Sequence, residues 1–113
     1  MPNPAVQLIE GIVFNGSVAA SGVQNSGALQ SQSTPHAIRF AINSTQAGTA
    51  EVFRIDATGT ARSQGSPSAV AANTEWRGEI YMPLHSAYYV AFTNTSGSTA
   101  TVLIEAYCAG GFA

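Results

Sequence analysis

Lysine is absent from these 113 residues, and the positive charge rests on four arginines, Arg39, Arg54, Arg62 and Arg77. Charged residues make up 9% of the chain, against about 25% in an average soluble domain. The surface must therefore be built from Ser, Thr, Asn, Gln, Gly and Ala. That composition suits broad, closely packed contacts, although Thr and Ser are also what a β-rich chain selects for its strands. With a formal net charge of −2 and no basic cluster, there is no phosphate-neutralising stripe, and nucleic acid is not an expected partner. The lone Cys108 closes no intramolecular disulfide. No apolar run approaches the roughly 20 residues of a membrane-spanning helix, so no membrane partner is expected. Met1–Glu10 (MPNPAVQLIE) lacks the basic start and apolar stretch of a secretion leader, so synthesis in the cytoplasm is expected.

Catalytic patterns are equally scarce. His36 and His85 lie far apart, each beside a proline-containing turn. Neither has Cys or carboxylate neighbours at metal-ligand spacing. Residues 56–59 (DATG) differ from an Asp-Thr-Gly protease turn by the intervening Ala57, and no second copy supplies the paired carboxylate. The acids Glu10, Glu51, Asp56, Glu75, Glu79 and Glu105 are scattered, and no serine sits in a GxSxG turn. Neither an enzyme nor a cofactor is expected. Three Asn-x-Ser/Thr sequons begin at Asn15, Asn43 and Asn94. Without a leader they read as turn chemistry, since Asn and Ser satisfy backbone groups where strands reverse.

What the chain does have is alternation with a period of two, the mark of half-buried strands. In 37–44, Ile38, Phe40 and Ile42 oppose Ala37, Arg39, Ala41 and Asn43. In 49–56 both faces are apolar, with Val52 opposed by Phe53 and Ile55, which places this strand centrally or near an interface. In 76–82, Trp76, Ile80 and Met82 oppose Arg77, Glu79 and Tyr81, and Pro83 ends the ladder. In 87–94, Tyr88, Val90 and Phe92 oppose Tyr89, Ala91 and Thr93. The break at 94–98 reads as a hairpin loop with Gly97 at positive φ. In 99–107, Ala100, Val102, Ile104 and Ala106 oppose Thr101, Leu103, Glu105 and Tyr107. Ile9–Phe14 reads as a further strand, 58–68 as a loop, and 16–36 as a weakly patterned stretch holding one strand within 22–31, with a linker as the competing reading. Six or seven short strands make an all-β protein, a single small antiparallel β-sandwich of jelly-roll type. Residues 1–14 form an N-terminal arm or first strand, and 15–113 the sandwich.

Trp76, Tyr81, Tyr88, Tyr89 and Tyr107 form an aromatic set. Trp76 and Tyr88 belong to the core by alternation. Tyr89 and Tyr107, opposite the main apolar series of their strands, are interface candidates together with Arg39.

The segments 42–60 (INSTQAGTAEVFRIDATGT), 70–76 (VAANTEW) and 86–105 (SAYYVAFTNTSGSTATVLIE) resemble a small phage virion domain. In that domain a strand ends in a Ser-x-Gln-Ala-Gly-Thr turn, here Ser44, Gln46, Ala47, Gly48 and Thr49. An aromatic strand, here with Tyr88 and Tyr89, then leads into an Asn-x-Ser-Gly turn, here Asn94, Ser96 and Gly97. The likeness covers the C-terminal two-thirds of the chain and is similar to capsid decoration, or cement, proteins. It implies a homotrimeric sandwich on the capsid surface of a virion, with the major capsid protein and other copies of itself as partners. The alternative reading is a carbohydrate-binding or structural module of a phage tail or fibre, with Tyr81, Tyr89 or Tyr107 as stacking platforms.

Overall fold

The structure, a computed structural model, describes residues 11–30, 36–82 and 87–110. Its regular elements are all strands: β1 (Gly11–Val18), β2 (Val23–Asn25), β3 (Leu29–Gln30), β4 (His36–Ser44), β5 (Gly48–Ile55), β6 (Ala61–Ser63), β7 (Ser68–Val70), β8 (Trp76–Met82), β9 (Ala87–Asn94) and β10 (Ala100–Gly110). They form two antiparallel sheets. Sheet A runs β1-β10-β4-β8. Sheet B runs β2-β9-β5-β6, with β3 also on β9 and β7 also on β5. This is the small β-sandwich expected from the alternation.

The period-two pattern sets which side chains meet between the sheets. From sheet A come Val18, Ile38, Phe40, Ile42, Ala100, Val102, Ile104 and Ala106; from sheet B come Leu29, Ala50, Val70, Tyr88, Val90 and Phe92. Val90, Phe92, Ile38, Phe40, Ile42, Val102 and Ile104 are wholly buried. At about 1.5–3 kcal/mol for each large apolar side chain removed from water, this double layer is the main stabilising term. Trp76 packs against its border. A Cβ on Gly78 would stand 2.4 Å from the Trp76 ring, so the indole lies over bare backbone that only glycine leaves open.

Of the three buried polar residues among those described, Ser26 accepts the Val90 N–H at 3.0 Å, and the other two, Ser44 and Asn94, sit in the turns at 44–49 and 94–97. Ser44, 3% exposed, donates its hydroxyl to the Gln46 carbonyl (2.7 Å) and accepts the Gln46 N–H (3.1 Å). Gly48 follows where a Cβ would lie 2.2 Å from the Thr93 carbonyl oxygen and 2.7 Å from the Phe92 ring, so the turn re-enters sheet B against backbone. Asn94 is fully buried. Its Nδ2 donates toward the carbonyls of Val18, Ala19 and Ser98 at 3.1, 3.2 and 2.7 Å, and its Oδ1 accepts the Ser96 N–H at 3.0 Å.

Several sequence expectations are adjusted. The first strand, expected at Ile9–Phe14, is present from Gly11 and continues to Val18, with a bulge between Ile12 and Phe14, while Ile9 and Glu10 lie outside the described residues. The stretch 22–30 holds two short strands, β2 and β3. The expected loop at 58–68 contains β6 and the start of β7, too short and too polar to show alternation. Gly97 does not take positive φ; that conformation falls on Gly11, Gly59 and Gly65, and on Ser21 and Asn73. The 94–98 turn is shaped instead by the Asn94 side chain, which supplies the reversal a left-handed glycine would otherwise provide.

Candidate functional site

Alternation that sends one set of side chains inward leaves two broad outer faces, and their chemistry differs. On sheet A the register places Tyr107 beside Arg39 and Arg39 beside Glu79. The Arg39 guanidinium donates to Glu79 Oε2 through Nη2 at 2.5 Å and Nε at 3.2 Å. One row along, Ala41 lies between Glu105 and Arg77 and is fully covered. Beyond it Glu75 accepts from Arg77 Nε (2.7 Å) and Asn43 Nδ2 (3.2 Å). The hydrogen bond from Arg77, then that from Asn43, holds the Glu75 carboxyl below its ordinary range, and Glu75 in turn raises the Arg77 guanidinium. Tyr81 and Ile12 stand on the same face, 61% and 60% exposed. Sheet A thus presents paired charges with apolar side chains among them.

At one end of this face an open cleft of about 380 Å³ is lined by Asn15, Asn43, Asn73, Thr45, Thr101 and Leu103. A second cleft of about 220 Å³ opens between the sheets beside β8, where Trp76, Ile80 and Val52 meet Gln64, Ser66 and Ser68.

Sheet B's outer face carries one charge and a mixture of apolar and neutral polar side chains. Its rows in register are Val23, Thr93 and Thr49; Asn25, Ala91 and Glu51; then Tyr89, Phe53 and Ser63; then Ala87, Ile55 and Ala61. The rings of Phe53 and Tyr89 stack with centroids 5.2 Å apart and planes 15° apart, a favoured offset geometry. Val23 is 63% exposed. The carboxylate in these rows, Glu51, accepts a hydrogen bond from the Ser63 hydroxyl.

The interface candidates do not share one surface. Arg39 and Tyr107 are register neighbours on sheet A, whereas Tyr89 is on sheet B. Phe53, Ile55 and Val23 are the surface residues that residue-type reasoning did not select. The doubly apolar pattern of 49–56 already pointed to the first two, but Val23 lies in the weakly patterned stretch and gave no signal.

Residues 56–59 form a hairpin turn. Asp56 Oδ1 accepts from the Thr58 hydroxyl (2.6 Å), the Thr58 N–H (2.9 Å) and the Thr60 N–H (3.0 Å), while Arg62 Nε donates to Oδ2 at 2.9 Å. Led by the Thr58 hydroxyl, these donors hold the exposed carboxyl well below the usual range. Its acceptor oxygens are engaged by its own turn. Among the described residues no three His, Cys, Asp or Glu gather in a metal-holding group. The side chains of His36 and Cys108, and all of His85, lie outside the described residues.

The fold and its faces define a small two-sheet antiparallel sandwich with broad outer sheet faces flanked by open clefts. No protein-family model matches the chain, and no curated protein matches its sequence. Among solved structures it is similar to the PBSX exported protein XepA, with a TM-score of 0.74 and 10% identity over 100% of this chain. The chain spans 41% of XepA's length. It is also similar to PirA, with a TM-score of 0.60 and 10% identity over 83% of this chain and 92% of PirA. At these identities the likeness is one of fold.

Proposed function

We propose that this chain is a structural protein of a phage particle, a cement protein that binds the outside of the capsid and bridges neighbouring copies of the major capsid protein. The observation that carries this reading is the sheet A face, where Tyr81, Tyr107 and Ile12 stand beside the ion pairs Arg39–Glu79 and Arg77–Glu75, with Glu105 left for a partner to match. Another protein that meets Glu105 with a donor or a cation can cover this face without stranding an isolated charge, the chief penalty of burying ions. The fold likeness to a phage-encoded protein and the turn signatures at 44–49 and 94–97 support the same reading. In it the chain assembles as a homotrimer and performs no catalysis. Many modest contacts, repeated over a shell and linked through the oligomer, hold capsomers together by multivalency.

Adding purified protein to undecorated capsids tests this directly. The expected result is saturable co-sedimentation and a raised capsid disruption temperature. No binding and no change in capsid stability would overturn it.

A second reading, a carbohydrate-binding module of a tail or fibre, is favoured by the cleft of three asparagines and two threonines, whose neutral donors and acceptors match sugar hydroxyls. Binding to a glycan array that Asn43→Ala abolishes would establish it. Copy number per particle separates the readings, with hundreds expected for a shell and a few dozen at most for a tail.

A further inference from the structure

We infer that the outer face of sheet B is where one copy of this chain docks on another. The inference rests on the self-assembly contained in the proposed function and names the surface that performs it. Val23, Phe53, Ile55, Tyr89 and Ala91 lie together on this face, and Glu51, in the row of Ala91 on the central strand β5, is its one carboxylate and is held by the Ser63 hydroxyl.

Three observations favour a second copy as the occupant. The first is charge. Sheet A carries Arg39, Arg77, Glu75, Glu79 and Glu105, so a partner there must match a pattern of both signs. The sheet B rows carry one charge, Glu51, so they offer no two-signed pattern to steer a foreign protein, and two copies bring together only this carboxylate, which the Ser63 hydroxyl already engages.

The second is shape. The face is a pleated layer of alternate side chains like the one each sheet presents to the interior, and such layers stack about 10 Å apart with small rotation. A second sandwich therefore adds a further layer by the packing that already joins the two sheets.

The third is area. The central strands β5 and β9 are each 8 residues long. At about 3.3 Å per residue and about 4.8 Å between four strand positions, the face spans roughly 500 Å² in projection, before side-chain relief is counted. A standard interface takes about 800 Å² from each partner. The face is thus smaller than a standard interface and is sized for moderate association.

The test is mass in solution, by sedimentation velocity and light scattering of the whole chain from about 1 to about 100 µM, the range in which a moderate interface of this size fills. The wild type is expected as a dimer or trimer. Val23→Asp and Tyr89→Glu are expected to weaken association by at least about 100-fold, because each places repeated charge in a desolvated contact. Val23 is on a short, mostly exposed edge strand, so its variant should keep the wild-type circular dichroism and unfolding midpoint. Tyr81→Glu, on the opposite face, should leave the mass unchanged. A monomeric wild type, face variants that retain the wild-type mass, or dissociation by Tyr81→Glu alone would each overturn the inference. Because no capsid is present, failure of capsid binding and failure of self-association are read separately.

Discussion

The side-chain nitrogen of Asn94, at the end of β9, lies 3.1 Å from the backbone oxygen of Val18, at the end of β1. These two strands belong to different sheets, so one amide joins the two layers and also pins the turn into β10. Asn94→Ala removes the donor and leaves the carbonyls of Val18, Ala19 and Ser98 to find other partners in a buried place. The expected cost is about 2–4 kcal/mol, read as a lower urea midpoint with an unchanged m-value. The buried amide also makes Asn94 an unreactive glycosylation sequon in the folded chain.

Gly48→Ala should be among the most damaging of small substitutions. Its methyl would enter the space of the Thr93 carbonyl oxygen, which belongs to the backbone and cannot rotate away. A loss of about 2–3 kcal/mol is expected. Gly97→Ala meets no atom within 4 Å and should change stability by less than about 0.5 kcal/mol. Thermal unfolding of the pair distinguishes packing at the turns from backbone freedom.

The ion pair between Arg39 and Glu79 is short, but the two side chains are 35% and 51% exposed. A double-mutant cycle with Arg39→Gln and Glu79→Gln should give a coupling of at most about 1 kcal/mol, shrinking as salt is raised. The pair's importance on this reading is to binding, so the same variants should weaken capsid attachment more than they weaken the fold.

Acid should act on the β5–β6 hairpin late. A carboxyl whose folded pKa is depressed contributes stability that is fully present above its unfolded value, about 3.9 for aspartate, and is lost as pH falls through the folded value. Asp56 should therefore remain ionised below pH 3.9, followed as the carboxyl carbon shift in an NMR titration. Removing Arg62 by Arg62→Ala should bring that midpoint part of the way back up, because the Thr58 and Thr60 donors remain.

The sandwich was legible wherever a strand is long and one of its faces is dry. Ile38, Phe40 and Ile42, or Ala100, Val102, Ile104 and Ala106, announce burial by alternation alone. β6 and β7 were not legible because three residues on an edge, exposed apart from Val70, leave no period to detect. The Gly97 expectation failed for a different reason: Asn94, 3 residues earlier and already read as turn chemistry, provides the reversal, so the glycine is not needed for it. The surface was legible only in part. Tyr89 and Tyr107 stand out by residue type, but their assignment to opposite faces depends on which strands pair, a long-range property that no local window contains.

Both lateral borders of sheet B are interrupted. Among the described residues, β2 and β3 supply Val23–Asn25 and Leu29–Gln30 on one side; on the other, β6 and β7 supply Ala61–Ser63 and Ser68–Val70, separated by Gln64, Gly65, Ser66 and Pro67. A sheet with an apolar face and continuous borders would recruit further chains strand by strand, and such growth has no natural end. Here the hydrogen-bonding borders are too fragmented to template a neighbour. If copies dock through sheet B as inferred above, this sheet offers them its flat and not its borders, and a partner that covers the flat closes it.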